Sequence, residues 1–366
     1  MMRTLYRRIN KFIPLGAVII FSLALISGII YLICALFPIF ADKFNMLCAP
    51  IRLVLSTITS MFPFSIFEAF LINVPALIIA LIYLAVKISK KGTRATVRYL
   101  CIILCIPLTY FIFFVWTFAS GYHTTPIEDK LQIDTESVTD EDMSLALEEL
   151  SNELNKLKNE IIYDKTGASK LPYSYGEMSK KISSAYEKMA NDTSLVKTFS
   201  SRVKPIILSE PMAYTHISGV YIAVTGEANV NVAYPDYIIA STATHEMAHQ
   251  RGIARENEAS FVGFLASCYS DDPYIKYSAY LNVYYYLLSD LTKSNPNLAK
   301  ETYNKLDNDV KNDYYAYVKS FQKYKGSVAS KVSESVNDTY LQVNGEKNGT
   351  NSYNLVSKLV CAYLTQ

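Results

Sequence analysis

Residues 244–252 read Thr-His-Glu-Met-Ala-His-Gln-Arg-Gly, a stretch that combines two histidines, a glutamate and a final glycine. His245 and His249 lie four positions apart, so on a helix their imidazoles project from one face, one turn apart. Two ligands of a tetrahedral zinc ion need this geometry. Glu246 is rotated about a quarter turn from that face, where a carboxylate can take a proton from water beside the metal. The stretch therefore predicts a metal-binding helix that carries its own general base.

The residues around this motif favour a functional helix over a pair of exposed histidines. The chain contains only four histidines, and two of them fall here. The apolar run 237–240 leads the helix, and Gly252 is a typical signal for a helix C-terminus. A helix that turns two histidines and a glutamate toward a buried face is unfavourable unless something binds them.

Two glutamates follow the motif closely enough to supply a third ligand. Glu256 and Glu258 point about 200° apart on a helix, so only one of them can face the metal. The side chains that share a face with Glu256 are small: Ala259, Ser260, Gly263 and Ser267. Those that share a face with Glu258 are bulky and apolar: Phe261, Val262 and Leu265. Small side chains allow two helices to approach closely, so the pattern favours Glu256 as the third ligand and keeps Glu258 as the alternative.

Composition indicates a chain with two different parts. Of its 366 residues, 51% are hydrophobic and 19% are charged, with a net charge of +2. This is too apolar for an ordinary soluble enzyme and too charged for a chain that lies wholly in a membrane. The near-neutral charge and the lack of a long basic run argue against nucleic acid as the main partner. The six cysteines contain no Cys-x-x-Cys pair, which argues against a zinc knuckle.

Three apolar stretches predict membrane-spanning helices, at about residues 12–40, 67–86 and 99–119. A cleaved signal peptide is the rival interpretation of the first stretch, but the apolar core of a signal peptide is about half as long. Residues 42–65 mix charges, prolines and apolar side chains, which predicts an interfacial or re-entrant helix.

Charge and polarity then divide the chain and orient it. Basic residues precede the first span, and five more occur between 87 and 98, so both segments are predicted to be cytoplasmic. Residues 1–121 are interpreted as a multi-pass anchor in the cell membrane. With three spans, residues 122–366 form an extracytoplasmic domain on a short tether.

The second part of the chain shows mainly helical patterns with a few strands. Helices are predicted at 139–162, 175–191, 256–269, 277–291, 295–303, 309–324 and 352–364. A short strand is expected at 203–208, and a β-hairpin at 219–232 places Glu227 in its turn, where it would be solvated. The fold class is therefore an N-terminal transmembrane region followed by a mostly helical α+β domain.

A hydrolase of this kind also needs a donor to stabilise the oxyanion that forms at a carbonyl. The candidates by residue type are Tyr214, His216, Tyr277 and Tyr280. With 29 tyrosines in the chain, packing in the core is the alternative explanation for each of the three tyrosines.

Several segments resemble a known family of bacterial membrane proteins, the domain of unknown function 3810. They are residues 219–231 (GVYIAVTGEANVN), 245–267 (HEMAHQRGIARENEASFVGFLAS), 277–281 (YSAYL) and 337–353. The resemblance implies a zincin-type metallopeptidase domain behind transmembrane helices. The stretch after His249 is also similar to the gluzincins, in which a glutamate at the position of Glu256 binds the metal. Ser260 stands where many gluzincins have aspartate.

Together these features predict a membrane-anchored zinc metallopeptidase. His245, His249 and Glu256 would bind Zn²⁺, and Glu246 would act as the general base. The substrates would be peptides or proteins at the cell surface, and the sequence specifies no oligomeric state. Two other hypotheses are a non-catalytic zinc-binding or sensor ectodomain and a membrane scaffold in which the motif is coincidental.

The charge distribution yields a testable topology. A reporter fused after Gln366 is expected to be active outside the cytoplasm, and a reporter inserted near Lys91 inside it, because basic segments stay on the cytoplasmic side. Paired phosphatase and fluorescent-protein fusions measure both positions. A cytoplasmic signal from the C-terminal fusion would overturn the orientation.

Overall fold

The computed structural model describes residues 12–346 and 355–366. Its first part contains three helices that are long and apolar enough to cross a membrane, and two shorter helices between the first and second of these. In chain order the five helices are α1 (Leu15–Leu36), α2 (Pro38–Leu47), α3 (Ala49–Ser60), α4 (Ile66–Ser89) and α5 (Thr93–Thr117). Three candidate spans were predicted, and this number is confirmed. The basic residues at 3, 7, 8 and 11 lie outside the described residues.

The first predicted span is too long at its C-terminal end. Phe37 leaves the helical conformation with φ −135°, and Pro38 starts a new helix. The reason is local, because proline disfavours helical backbone at the residue that precedes it. The following helices α2 and α3 contain 10 and 12 residues, too few to cross about 30 Å of hydrocarbon.

The polar part consists of helices around one small sheet. Its helices are α6 (Ile127–Leu131), α7 (Asp140–Leu157), α8 (Tyr175–Thr193), α9 (Ser209–Ala213), α10 (Asp236–Gln250), α11 (Glu256–Cys268), α12 (Pro273–Ser294), α13 (Pro296–Asn304), α14 (Asn308–Tyr324), α15 (Val328–Val343) and α16 (Val356–Thr365). Short 3-10 helices cover Ala119–His123 and Lys158–Glu160. The mostly helical character that was predicted is confirmed.

Three strands form the sheet, in the order β1-β3-β2. They are β1 (Lys204–Pro205), β2 (Gly219–Ile222) and β3 (Glu227–Val230). β2 and β3 form the predicted antiparallel hairpin, with Val220 opposite Asn229 and Ile222 opposite Glu227. β1 pairs with β3 in parallel and is shorter than the predicted strand at 203–208.

Helix α10 lies at the centre of the polar part. It packs against α11, α12 and both strands of the hairpin. Almost all of its side chains are buried, including Met247 and the apolar run from Tyr237 to Ala240. A helix that is buried on all sides must be surrounded by other elements, and this accounts for its position in the core.

Buried polar groups join the polar part to the membrane helices. Glu227 accepts hydrogen bonds from the backbone N–H groups of Ile66 (2.8 Å) and Phe67 (3.0 Å), at the N-terminus of α4. It also forms an ion pair with Lys204 at 2.8 Å, and both side chains are buried. The expectation of a solvated Glu227 in the hairpin turn is therefore wrong. Glu227 is the first residue of β3, and residues 223–226 make the turn.

Two further contacts extend this junction. Glu68 in α4 accepts hydrogen bonds from the backbone of Ile207 and Leu208. Thr117, at the end of α5, donates to the carbonyl of Ala223. The polar part is thus packed directly on α4 and α5, and the expectation of a short tether is wrong. Because the N-terminus of α4 and the C-terminus of α5 both meet this part, the basic segment between these two helices lies at their far ends.

The ion pair predicts a large effect on stability. Glu227→Gln should lower the free energy of unfolding by about 3 kcal/mol, because it removes the charge that compensates buried Lys204 and turns an amide toward hydrogen-bond donors. Thermal unfolding of the full chain in one detergent measures the change. The matched control is Glu148→Gln, which breaks an exposed ion pair with Lys305 and should cost less than about 1 kcal/mol. Equal midpoints for the two variants would contradict the structural role of Glu227.

Candidate metal centre

The ends of α10 fix the position of its two histidines. The helix begins after Pro235, and Gly252 follows its end with φ +96°, as the sequence predicted for a helix stop. The N–H of Ile253 returns to the carbonyl of Ala248 at 3.2 Å. A Cβ atom at Gly252 would lie 2.5 Å from Nη2 of Arg52, so both the backbone conformation and the close contact require glycine.

Three side chains converge in front of this helix. Nε2 of His245 lies 3.1 Å from Oε2 of Glu256, and Nε2 of His249 lies 3.3 Å from the same atom. The three possible ligand atoms are all within 4.8 Å of one another, so the group could hold a metal ion. Two ligands about 2.0–2.1 Å from a tetrahedral zinc ion lie roughly 3.3 Å apart. The separations to Glu256 therefore fit such an ion without rearrangement.

The outer nitrogens of the two imidazoles are held by other groups. Nδ1 of His249 lies 2.7 Å from the carbonyl oxygen of Ile253, which can only accept, so this nitrogen carries a hydrogen. In a neutral imidazole Nε2 then has a free lone pair, and here it faces a carboxylate oxygen. Two acceptors at this distance require a cation between them, either a proton or a metal. Nδ1 of His245 lies 3.0 Å from Oγ of Ser260.

The charges in this cluster shift the pKa values in a metal-free site. Burial lowers the pKa of His249, but the Glu256 carboxylate outweighs it and raises that pKa to about 9. Burial would raise the pKa of Glu256, and the two imidazoles outweigh it and hold that pKa well below its usual range. Burial is also the main cause of a lowered pKa for His245. In the metal-free cluster a proton on His249 therefore balances the Glu256 carboxylate, and a bound metal ion would take the place of that proton.

Close packing of α10 on α11 brings Glu256 to this position. A Cβ atom at Gly263 would lie 3.1 Å from the backbone nitrogen of His245, so a larger residue would push the helices apart. Glu258 points away from the histidines. It pairs with Arg255 at 2.6 Å and accepts a hydrogen bond from the backbone of Ile127 at 3.1 Å. Of the two glutamates considered, the structure brings only Glu256 to the histidines.

Glu246 is buried next to the cluster. Its Oε2 atom has no hydrogen-bond partner among residues 12–346 and 355–366. A buried carboxyl oxygen without a hydrogen-bond partner costs free energy, which indicates that another polar group binds beside it. Burial raises the pKa of Glu246 to about 8, so the carboxyl group holds its proton near neutral pH unless a cation beside it lowers that pKa. Gly219 of β2 covers this side chain, and a Cβ atom there would lie 2.5 Å from Oε1, which leaves room only for glycine.

The cluster opens into a cavity of about 850 Å³. All four residues of β2 line it, with α10 on one side and α12 and α14 on the other. Further parts of the wall come from α11, from residues 215–218, from α15 and from α5, which contributes Tyr110. The cavity therefore lies between the polar part of the chain and the membrane helices.

The four candidates for an oxyanion donor have different positions. His216 lines the cavity, and its ring packs on Phe321. Tyr277 is instead buried against Asp313, to which it donates at 2.6 Å. Tyr280 packs on Phe264, and Tyr214 is an exposed ring that packs on Tyr324. None of these three tyrosines lines the cavity wall, so they do not suit the role that the sequence suggested.

Other residues in the wall gave no signal in the sequence. Phe118 packs edge-on against His249, with ring centroids 5.4 Å apart. Tyr286 and Asn282 come from α12, and Tyr340 comes from α15. These positions lie between 33 and 131 residues from His249, and no local pattern relates them to it. Only the folded chain brings them together.

The position of the two glutamates predicts different effects on metal binding. Loss of a group that only holds a metal ligand in place lowers metal affinity by roughly 10–100-fold. Glu256→Gln should lower the affinity for Zn²⁺ by more than this, because it removes the negatively charged ligand itself. Glu258→Gln is the matched control and should keep the affinity of the wild type. Metal titration of the full chain and elemental analysis of the purified protein measure both. Metal loss in Glu258→Gln alone would show that the wrong carboxylate was assigned.

Comparison with known proteins agrees with the resemblance noted in the sequence. No curated protein and no solved structure matches the chain. A family described as "Protein of unknown function (DUF3810)" matches residues 44–361. This match begins in α2, runs through α4 and α5 and includes His245, His249 and Glu256. The chain therefore belongs to the DUF3810 family.

Proposed function

We propose that this protein is a membrane-anchored zinc metallopeptidase with a zincin-like domain outside the cytoplasm. The proposal rests mainly on one observation. The ligand atoms of His245, His249 and Glu256 converge in a cavity, and an unpartnered carboxylate oxygen of Glu246 is buried beside them. A structural metal site has no use for a second, unpaired carboxylate, and it usually closes with a fourth protein ligand. The arrangement therefore favours catalysis over a non-catalytic sensor.

Zinc suits this donor set. Two imidazole nitrogens and one carboxylate are the protein ligands of many catalytic zinc sites, which keep a fourth position open. Zinc held in this way polarises a carbonyl group and allows water to ionise near neutral pH. The Nδ1 contacts of His245 and His249 fix the direction of both rings toward the ion.

The side chain of Glu246 handles the proton in this proposal. Its Oε2 atom takes a proton from the attacking water, and the same carboxyl group gives it to the leaving nitrogen when the peptide bond breaks. The side chain is only 4% exposed and lies against Gly219, which holds the carboxyl group at the wall of the cavity. Glu246 therefore lines the same cavity as the three possible ligands, where it could act on a water molecule.

Strand β2 offers a way to hold a peptide. It is at the edge of the sheet, and all of its residues line the cavity. An extended peptide can pair with such an edge through backbone hydrogen bonds, which bind with little dependence on sequence. The scissile bond would then lie over Gly219 and next to Glu246, because these two residues are in contact.

The base gives the sharpest test. Glu246→Gln should retain zinc and fold but lose hydrolysis by about 10²–10⁴-fold, because the ligands stay and the base is removed. A peptide library incubated with the zinc-loaded full chain measures the rate, and elemental analysis checks the metal. Glu301→Gln changes an exposed glutamate and serves as the control for substitution and purification. Hydrolysis at the wild-type rate by Glu246→Gln would refute the peptidase proposal.

A further inference from the structure

Helix α15 forms one wall of the cavity and has an unusual distribution of side chains. Its cavity-lining residues are Ser330, Ser333, Glu334, Asn337 and Tyr340. Most of them are polar, so the helix turns its polar side toward the interior of its own protein. A surface helix of a soluble domain has the opposite arrangement, with the apolar stripe on the core and the polar face in water.

The apolar residues of α15 face outward. Val328, Val332, Val336 and Val343 are 79%, 57%, 64% and 73% exposed. At about 100° per residue these four valines fall within roughly 80° of one another, so they form a single stripe along the helix. We call this stripe the valine face. A valine occurs in every turn of the helix but one. An exposed apolar stripe of this kind indicates a surface that contacts something other than water.

The C-terminal end of α15 lies at the ends of two candidate membrane spans. The ring of Tyr340 packs on Phe114 of α5, with centroids 6.1 Å apart. Gly345, just after the helix, contacts the ring of His123, which in turn packs on Tyr31 of α1. Apolar side chains near the end of α5 are exposed as well, among them Tyr110. These contacts place the C-terminal end of the valine face, at Val343, beside the ends of the two spans.

We infer that α15 lies in the membrane interface with its valine face in the bilayer, so that the cavity takes polypeptide segments at the membrane surface. An apolar stripe next to lipid-exposed spans is the mark of an interfacial helix. The inference about substrates rests on the proposed peptidase function. Tyr110 belongs to a span and also lines the cavity, which puts the cavity at the level where the spans leave the bilayer. The substrate class is membrane-anchored protein that is cut close to its anchor.

Fluorescence quenching tests the position of the helix without any reference to activity. The full-length Val332→Trp and Lys331→Trp variants are placed in nanodiscs of phosphatidylcholine, with or without bromine on the acyl chains. The wild type supplies the background of Trp116, the single tryptophan. The fluorescence that the tryptophan of Val332→Trp adds to the wild-type signal should fall by about half or more in brominated lipid. The added fluorescence of Lys331→Trp should fall clearly less, because adjacent residues on a helix differ by about 100° in direction. Equal quenching, or none at either position, would overturn the inference, and the second result would instead favour a protein on the valine face.

Tethered substrates test the second half of the inference. A fluorogenic peptide library is offered to the nanodiscs either free or attached to lipid by a palmitoyl chain. The tethered peptides should be cut faster, and a Val332→Asp/Val336→Asp variant should lose about tenfold of that rate while it cuts free peptides as before. A preference for free peptides, or no effect of the double variant, would refute this substrate class while the peptidase proposal stands. If neither form is cut, the peptidase proposal fails, and with it this substrate class, while the quenching result still reports on α15.

Discussion

The cluster of His245, His249 and Glu256 depends on how closely two helices can approach. A carboxylate on α11 reaches both imidazoles of α10 only because the small face of α11 lies against the backbone of α10. Gly263 is the tightest point of this contact, where even one methyl group would touch the backbone of His245. Gly219 imposes the same constraint from the other side, since it leaves no space beside Glu246. Two glycines thus set the width of the site, while the charged residues supply its chemistry.

Much of the site could be predicted from the sequence because its information is local. The helical spacing of His245 and His249 places them on one face, and the small residues that follow Glu256 indicate close packing. Gly252 as a helix stop follows from the same kind of reasoning. The hairpin and most helices were also predicted, since hydrophobic periodicity and turn residues report on segments of this length.

The parts that were missed depend on contacts between distant segments. Glu227 was predicted to lie in a solvated turn because nothing in the neighbouring sequence indicates its partners. These partners, Lys204 and Phe67, lie 23 and about 160 residues away. Helix α15 was not predicted at all. Its valines, serines and threonine have modest helix propensity, and its polar side faces the protein, so the usual amphipathic reasoning does not apply. The cavity wall combines such segments and could not be derived from any one of them.

The buried charges show why the two parts of the chain belong together. A helix leaves N–H groups free at its start and carbonyl groups free at its end, and these must find partners when they are buried. The carboxylate of Glu227 binds the first N–H groups of α4, and the guanidinium of Arg52 in α3 reaches the carbonyl of Arg251 after α10. The negative charge of a carboxylate at a helix N-terminus and the positive charge of a guanidinium at a helix C-terminus also complement the helix dipoles. Each part therefore satisfies helix ends of the other, and the cavity lies along this same junction. Helix α10 is held at its C-terminal end by Arg52 of α3, so the geometry of the candidate site depends on the apolar helices as well as on the polar part.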